Sequence, residues 1–291
     1  MNQASIPVDL FNPGQVFACM GFLEATEALR GDARGHFDWT DAAPPRFHIT
    51  TSGDGNPFAR VLEFLATCRI HAMGPADLET DLKVETFPSA KPEAMALPLR
   101  LEGRDGSHLE IGHWADGTHR DPFKLYSGNR SAKGIASKLL HGKLKASSKS
   151  GAQGAVEVQG MAQLWQKRQE QLIADPFSSL TPLEGTFNMD PRGAWTTRDA
   201  GYSPNDHAGI KVTGSPVVEI LAAIGLEHAR PLRSHRWTVR YGVWETPLPP
   251  LLARPCLSAT PVGIPLRVFT FDLEAKGKNK MVTFATEEEI S

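Results

Sequence analysis

The sequence predicts an α+β fold of mixed helices and antiparallel hairpins. Three segments begin with a capping residue followed by proline, an arrangement typical of a helix N-terminus. Pairs of β-prone segments flank short turn-forming stretches, as in antiparallel hairpins. Helix and strand signals alternate irregularly along the 291 residues, without the regular strand–helix–strand repeat of a doubly wound sheet.

The three predicted helices begin at Asn12-Pro13, Asn56-Pro57 and Ser215-Pro216. In the first, Gln15 follows the capping residue by three positions, as in a capping box, and Gly31 provides an end. Apolar residues recur at helical spacing after the other two prolines. They are Phe58, Val61, Leu62 and Leu65 in the second helix and Val217, Ile220, Leu221 and Ile224 in the third.

The first and third of these helices resemble each other. Residues Ala18–Glu24 read like Ala222–Glu227, and each helix precedes a basic, β-prone segment. Two similar halves related by an internal duplication would explain this likeness. A repeat this short also arises by chance between helices rich in alanine, glycine and leucine, so both explanations stay open.

The strand signals predict two hairpins. The first spans Leu99–Ile111, with its turn at Gly103–Gly106. The second spans Val268–Ala285, with a lysine-bearing tip at Lys276–Lys280. In each hairpin, two β-prone segments flank a turn that contains glycine. A further strand is expected at Lys83–Phe87.

Two segments have the composition of connections. Gly142–Ala155 consists mostly of Gly, Ser, Ala and Lys, which is typical of a flexible linker. It predicts an N-terminal α+β domain over 1–145 that ends in a basic helix, and a C-terminal α+β domain over 155–291 with a terminal hairpin. A loop inside one domain is the alternative. Thr246–Pro265 contains six prolines and predicts a non-helical crossing.

The composition favours a cytoplasmic protein that needs no cofactor. There is no apolar run of transmembrane length and no secretory signal pattern at the start. The three cysteines, Cys19, Cys68 and Cys256, are far apart and form no CxxC pair. We therefore expect neither a disulfide framework nor a cysteine zinc site, as in a reducing compartment. The GxSxG, HExxH and GxGxxG patterns of common enzymes do not occur.

Positive charge is concentrated in residues 122–156, called the basic window below. The window holds seven Lys and Arg and no Asp or Glu, while the whole chain has a formal charge of −2, so the remainder carries −9. A phosphate backbone is the commonest partner of such a positive field. A solvated basic loop is the alternative. The seven cations are Lys124, Arg130, Lys133, Lys138, Lys143, Lys145 and Lys149.

A helix is predicted inside the basic window, over Asn129–His141. Its apolar residues fall on one side at helical spacing, while Arg130 and Lys133 fall on or beside the opposite side. Such a helix can pack on a core and present cations to phosphates. An ordinary surface helix is the alternative, although it would usually also carry acids. The apolar residues are Ala132, Ile135, Ala136, Leu139 and Leu140.

Two further cationic sets are candidates for nucleic-acid binding. Arginines beside Trp237 and Tyr241 on a predicted strand could stack on bases as well as neutralise phosphates. They are Arg230, Arg233, Arg236 and Arg240. The lysines at the tip of the second hairpin could enter a groove, although turn composition alone also explains them. They are Lys276, Lys278 and Lys280.

Two alternatives to nucleic-acid binding remain open. The first is a metal-dependent nuclease or hydrolase, since a cluster near the first hairpin contains metal-ligand residue types. Its spacing matches no known motif, and polar residues along a hairpin edge would look the same. The second is a scaffold whose basic surface meets an acidic protein. The cluster comprises His108, Glu110, His113, Asp116, His119 and Asp121.

Two long segments carry a resemblance to a known family. The first is Val8–Glu24, VDLFNPGQVFACMGFLE, and the second is Phe187–Asn205, FNMDPRGAWTTRDAGYSPN, which leads into Pro216–Leu226. Their order and spacing resemble a compact subunit of the type I-G (formerly type I-U) CRISPR–Cas effector complexes. The likeness spans both halves of the chain, and neither motif is catalytic.

The resemblance implies a large-subunit-like component of Cascade, the RNA-guided surveillance complex. In RNA-guided complexes base pairing reads the target, while protein holds nucleic-acid backbones and senses a short flanking motif. The implied partners are guide RNA, target DNA, the guide-backbone and guide-processing subunits, and a recruited helicase–nuclease, with no membrane. Whether the chain lies at the motif-sensing end or along the guide stays open.

Overall fold

The computed structural model has the α+β architecture that the sequence predicts, with helices beside several small antiparallel sheets. One buried apolar cluster draws on residues from Ile6 to Ala285. No helix in the described part of the chain is long and apolar enough to cross a bilayer. The structure describes residues 2–40, 44–73, 97–114, 123–126, 130–144, 156–193, 212–235, 237–276 and 279–289.

The three predicted helix starts are confirmed. In each, proline occupies the first turn, and the side chain of Asn12, Asn56 or Ser215 accepts hydrogen bonds from backbone N–H groups of that turn. Gly31 follows the first helix with φ of +73°, as expected for a terminating glycine. The helices are α1 Pro13–Arg30, α2 Pro57–Thr67, α3 Ala132–His141, α4 Met161–Ala174, α5 Pro216–His228 and α6 Pro250–Leu257.

The N-terminal sheet contains β1 Asn2–Pro7, β2 Arg34–Asp38 and β3 Arg46–Thr51 in the order β1-β3-β2, with both pairs antiparallel. Helix α1 connects β1 to β2, and α2 follows β3. Both helices pack against this sheet. The strands bury alternate residues, such as Phe47 and Ile49, so one sheet face belongs to the core and the other is polar. This βαββα order begins the ferredoxin-like arrangement.

A second sheet contains β4 Arg69–Ala72, β5 Leu99–Glu102 and β6 His108–Ile111 in that order. The predicted hairpin at Leu99–Ile111 is therefore confirmed, and Gly106 takes a φ of +82° in its turn. Four short strands form two further antiparallel pairs. They are β7 Lys143–Leu144 with β8 Val156–Val158, and β9 Thr181–Pro182 with β10 Thr213–Gly214.

The C-terminal sheet contains β11 Leu232–Arg233, β12 Thr238–Trp244, β13 Leu266–Lys276, β14 Asn279–Val282 and β15 Thr286–Glu287. Its order is β11-β12-β13-β14, and β15 also pairs with β13. The second predicted hairpin is confirmed as the antiparallel pair β13–β14.

Helices α1 and α5 cross at very short range, and glycines make that approach possible. A Cβ atom on Gly21 would overlap the carbonyl oxygen of Leu221, and one on Gly225 would overlap the carbonyl oxygen of Phe17. All four residues are buried. Because backbone meets backbone here, any larger residue must push the helices apart.

A buried carboxylate ties the N-termini of α1 and α5 together. Asp190 accepts hydrogen bonds from the Asn12 side chain and from the Ser215 backbone N–H, each at 3.2 Å. Arg192 donates to both of its oxygens, at 2.9 and 2.7 Å. The backbone N–H of Asp190 in turn donates to Glu219 at 3.0 Å. The two segments that carry the family resemblance therefore meet in one buried polar network.

The predicted halves of the chain share this core, since α1 packs on α5. Residues 145–155, where the boundary was placed, lie outside the described residues. The division into 1–145 and 155–291 stays a prediction. Gly21 and Gly225 occupy equivalent places in the two similar helix patterns and face each other, which is compatible with a duplication and with chance.

The expected non-helical crossing over Thr246–Pro265 is wrong, because α6 occupies Pro250–Leu257. Two prolines of this segment are compatible with the helix: Pro249 is the N-cap and Pro250 occupies the first helical position. Proline density alone therefore misled the prediction. The strand expected at Lys83–Phe87 lies outside the described residues.

We expect Gly225→Ala to destabilise the fold by about 1–3 kcal/mol or more, since the added methyl group overlaps the backbone of α1. Chemical denaturation measures this change. Gly134→Ala is the matched control, because among the described residues its Cβ would closely approach only the Ser131 hydroxyl and no backbone of another helix, and alanine favours a helix by up to about 1 kcal/mol. Equal stabilities of the two variants would contradict the close crossing.

We expect Glu219→Gln to gain stability relative to the native chain as pH rises. Burial raises the pKa of Glu219 to about 8, against the opposing effect of its backbone hydrogen bonds. In the unfolded chain the Glu219 carboxyl is half ionised near pH 4.5. In the folded chain it ionises only near pH 8, so this carboxyl progressively lowers the stability of the native protein between the two pH values.

Thermal denaturation of both proteins at pH 5 and pH 8 measures the effect of this substitution. The stability difference should grow by roughly 3 kcal/mol at the higher pH, since each pH unit between the two pKa values contributes about 1.4 kcal/mol. Taking the difference at each pH cancels the other titrating groups. A difference that does not change with pH would contradict the raised pKa.

Candidate nucleic-acid interface

The helix predicted in the basic window is confirmed as α3, which begins at Ala132 rather than at Asn129. The Ser131 side chain accepts a hydrogen bond from the N–H of Gly134 and so caps the helix. All five apolar residues of the predicted inner face are buried, while Arg130 and Lys133 are exposed. Lys145 and Lys149 lie outside the described residues.

An acid from another part of the chain pairs with two lysines of the basic window. Glu184 bonds the Nζ atoms of Lys138 and Lys143, at 2.9 and 2.8 Å. Hydrogen bonds from Lys143 and then Lys138 lower the pKa of this carboxyl. All three side chains are partly exposed, so each pair contributes little to stability. Their effect is electrostatic, since one carboxylate offsets part of the window's charge.

The arginine set is divided by the structure. Arg240 forms a two-pronged ion pair with Glu288, with both N–O distances at 2.6 Å. That pairing lowers the pKa of Glu288 and weakens Arg240 as a site for phosphate. Arg233 is exposed, and its Nε donates to the carbonyl of His235 at 3.2 Å. Arg236 lies outside the described residues.

Tyr241 and Trp237, the aromatic neighbours of these arginines, have different environments. Tyr241 is fully buried, and its hydroxyl donates to the carbonyl of Leu10 at 2.5 Å. It is therefore a core residue. Trp237 precedes β12 and keeps 39% of its surface exposed. Its ring is large enough to stack on a nucleobase.

The hairpin tip brings a lysine onto the exposed tryptophan. Lys280 is the second residue of β14, next to the tip. Its Nζ lies 4.9 Å from the centroid of the Trp237 ring, a cation–π contact. Lys276 ends β13. Lys278 lies outside the described residues.

The basic window meets the hairpin at the same place. The backbone N–H of Lys280 donates to the carbonyl of Leu125 at 2.8 Å, so Lys124 lies beside the hairpin strand. Lys124 is exposed, and its Nζ lies 5.5 Å from the ring centroid of Tyr126. Lys124, Lys280 and Trp237 together are called the Trp237 surface below.

The Trp237 surface joins three parts of the chain that the sequence presents separately. It combines one lysine of the basic window, one of the hairpin and the aromatic residue next to the arginine set. Exposed Arg233 lies in β11, in register with Val239 of β12. Val239 is two residues beyond Trp237. Ammonium groups suit phosphates and an indole ring suits a base, so the chemistry matches a single-stranded nucleic acid.

The three candidate metal ligands that the structure describes form no common site. His108 is exposed on β6, Glu110 is paired with Arg100 at 2.8 Å, and His113 is buried in the core. Burial, together with the nearby charge of Arg230, lowers the pKa of His113 to about 3. Asp116, His119 and Asp121 lie outside the described residues, and no group of three potential ligands occurs among the described ones.

Sequence reasoning missed Glu184 and the contact between Lys280 and Trp237. Glu184 lies 46 residues beyond Lys138, and no local pattern links them. In the sequence the tryptophan stands beside Arg236, far from Lys280. The sequence does contain one weak signal, the scarcity of acids in this region. Between Gln171 and Asp190 the only acids are Asp175 and Glu184.

Comparisons with known proteins give no match: no family model fits the chain, and no curated protein or solved structure is significantly similar. The resemblance to type I-G effector subunits therefore depends on the motifs alone. In the structure these motifs build the core network around Asp190.

We expect Glu184→Gln to strengthen the binding of single-stranded nucleic acid by roughly two- to fivefold, the equivalent of about 0.5–1 kcal/mol. The substitution releases Lys138 and Lys143 from their shared carboxylate. Fluorescence anisotropy with a labelled oligonucleotide at low salt measures the affinity. Glu170→Gln, an exposed site on α4, changes the net charge equally. The same gain in both variants would argue against a specific role for Glu184.

Proposed function

We propose that this chain is a non-catalytic, nucleic-acid-binding subunit of a CRISPR surveillance complex of type I-G. One observation carries the proposal: Lys280 contacts the ring of the exposed Trp237 and pairs through its backbone with Leu125, the neighbour of Lys124, although these residues come from separate parts of the sequence. The motif resemblance supplies the biological setting. We further propose a cytoplasmic location.

The Trp237 surface suits a strand whose bases are accessible. Aromatic stacking is worth about 1–3 kcal/mol per base and tolerates any sequence. Lysines beside the ring neutralise phosphates at either side without reading bases. In a surveillance complex such a surface would hold guide RNA or the displaced strand of target DNA, while base pairing provides sequence recognition.

The basic helix adds exposed cations of its own. Arg130 and Lys133 are exposed at the start of α3, whereas Lys138 and Lys143 share Glu184 further along. The strongest uncompensated field of the described window therefore belongs to Lys124, Arg130 and Lys133. The proposed partners are guide RNA, target DNA, the guide-backbone and guide-processing subunits, and the recruited helicase–nuclease, which performs strand cleavage.

We expect Lys124→Ala with Lys280→Ala to weaken binding of a single-stranded oligonucleotide about tenfold at low salt. The slope of log affinity against log salt should fall by about 0.7 per lysine removed. Adding Trp237→Ala should weaken binding further without changing this slope, because stacking releases no counterions. Anisotropy titrations at several salt concentrations separate the two effects.

The matched control is Lys167→Ala with Arg168→Ala, which removes two exposed cations from α4. Equal losses in both double variants would show a response to net charge alone. Copurification from cells that carry the full operon, followed by sequencing of bound RNA, tests the biological setting. Recovery of the folded native chain without RNA and without other effector subunits would overturn the proposal.

A further inference from the structure

Helices α1 and α2 pack on the apolar side of the N-terminal sheet, and the nine residues of its polar face are exposed or half-buried. These residues form three cross-strand rows. They are Gln3, Thr50 and Arg34 in the first row, Ser5, His48 and His36 in the second, and Pro7, Arg46 and Asp38 in the third.

Two imidazole rings occupy the centre of this face. His36 and His48 are stacked, with ring centroids 4.8 Å apart and planes inclined by 18°. Burial lowers the pKa of both residues, and each also lies near Asp38, which opposes that shift. Both rings are half-buried, so the stacked pair offers a weakly polar surface at the centre of the face.

A guanidinium group is fixed at one end of the face. Arg46 donates from Nε to the hydroxyl of Ser5 and from Nη2 to its carbonyl, both at 2.9 Å. These bonds hold the side chain in place, and its Nη1 has no hydrogen-bond partner among the described residues. A guanidinium held in this way loses little entropy when it binds a phosphate.

A second arginine lies at the other end. Exposed Arg34 is in register with Thr50, four residues along β3 from Arg46, which corresponds to about 13 Å. The one acid in the nine positions, Asp38, already accepts two hydrogen bonds from Thr40. The face thus has cations at both ends, rings between them, and hydroxyl and amide groups along its edge.

We propose that the polar face of the N-terminal sheet is a binding platform for single-stranded RNA. The charge pattern fits a polyanion, and the span between the arginines fits a short extended strand. Ser5, Thr50 and Gln3 provide groups that can hydrogen-bond a ribose 2′-hydroxyl, the feature that separates RNA from DNA. The β1-β3-β2 order with helices on one side is also that of sheets that bind RNA on their open face, which is a fold-level analogy.

This inference deepens the proposed function and rests on it, because it adds a second contact surface and names the strand class. The test uses the full chain and two labelled 20-nucleotide probes, oligouridine RNA and oligothymidine DNA. The platform variant is Gln3→Glu with Arg34→Glu, two exposed side chains whose replacement leaves the core intact. The control is Arg104→Glu, an exposed arginine in the β5–β6 turn.

The platform variant should lose about tenfold in affinity for RNA and less for DNA, while Arg104→Glu loses about twofold or less from net charge. Equal losses in both variants would overturn the inference. So would an unchanged RNA affinity in the platform variant alongside a loss when Lys124 and Lys280 are replaced, a result that leaves the proposed function intact. If no variant changes binding, both ideas fail.

A second measurement does not depend on any substitution. RNA that contains 4-thiouridine, photocrosslinked to the native chain, should modify peptides that include β2 or β3. Crosslinks found only elsewhere, or the binding of an effector protein subunit to this face in place of RNA, would overturn the platform.

Discussion

The close crossing of α1 and α5 is the constraint on which the rest of the structure depends. At Gly21 and Gly225 the two backbones touch, so the relative position of the helices has almost no freedom. Helix α1 also packs against α2, α6 and β6, and buried Glu24 binds Arg254 of α6 at 2.8 Å.

The polar network around Asp190 fixes the helices in a second way. A buried carboxylate is costly unless every oxygen is paired, and here the pairing groups come from the start of α1, the start of α5 and Arg192. Removing any one partner leaves the others poorly satisfied. This arrangement explains, in physical terms, why the segments beginning at Val8 and Phe187 carry such distinctive residues at Asn12, Asp190 and Arg192, none of which belongs to a candidate binding surface.

Local chemistry made the helix starts, both hairpins and the buried side of α3 predictable. An Asn-Pro or Ser-Pro pair acts within one turn, and the apolar spacing of α3 repeats within ten residues. The Trp237 surface was not predictable in the same way. It depends on Leu125 pairing with Lys280 across more than 150 residues of chain, and no local pattern specifies that contact. Counting prolines failed over Thr246–Pro265 because position within a helix matters more than number.

Glu184 has a consequence for how a titration with salt would be interpreted. A lysine that leaves this carboxylate for a phosphate exchanges one anionic neighbour for another, and the vacated carboxylate then attracts a cation from solution. Such a transfer releases fewer ions in total than a contact made by an unpaired lysine. The ionic-strength dependence of binding would therefore undercount the phosphates that this protein touches.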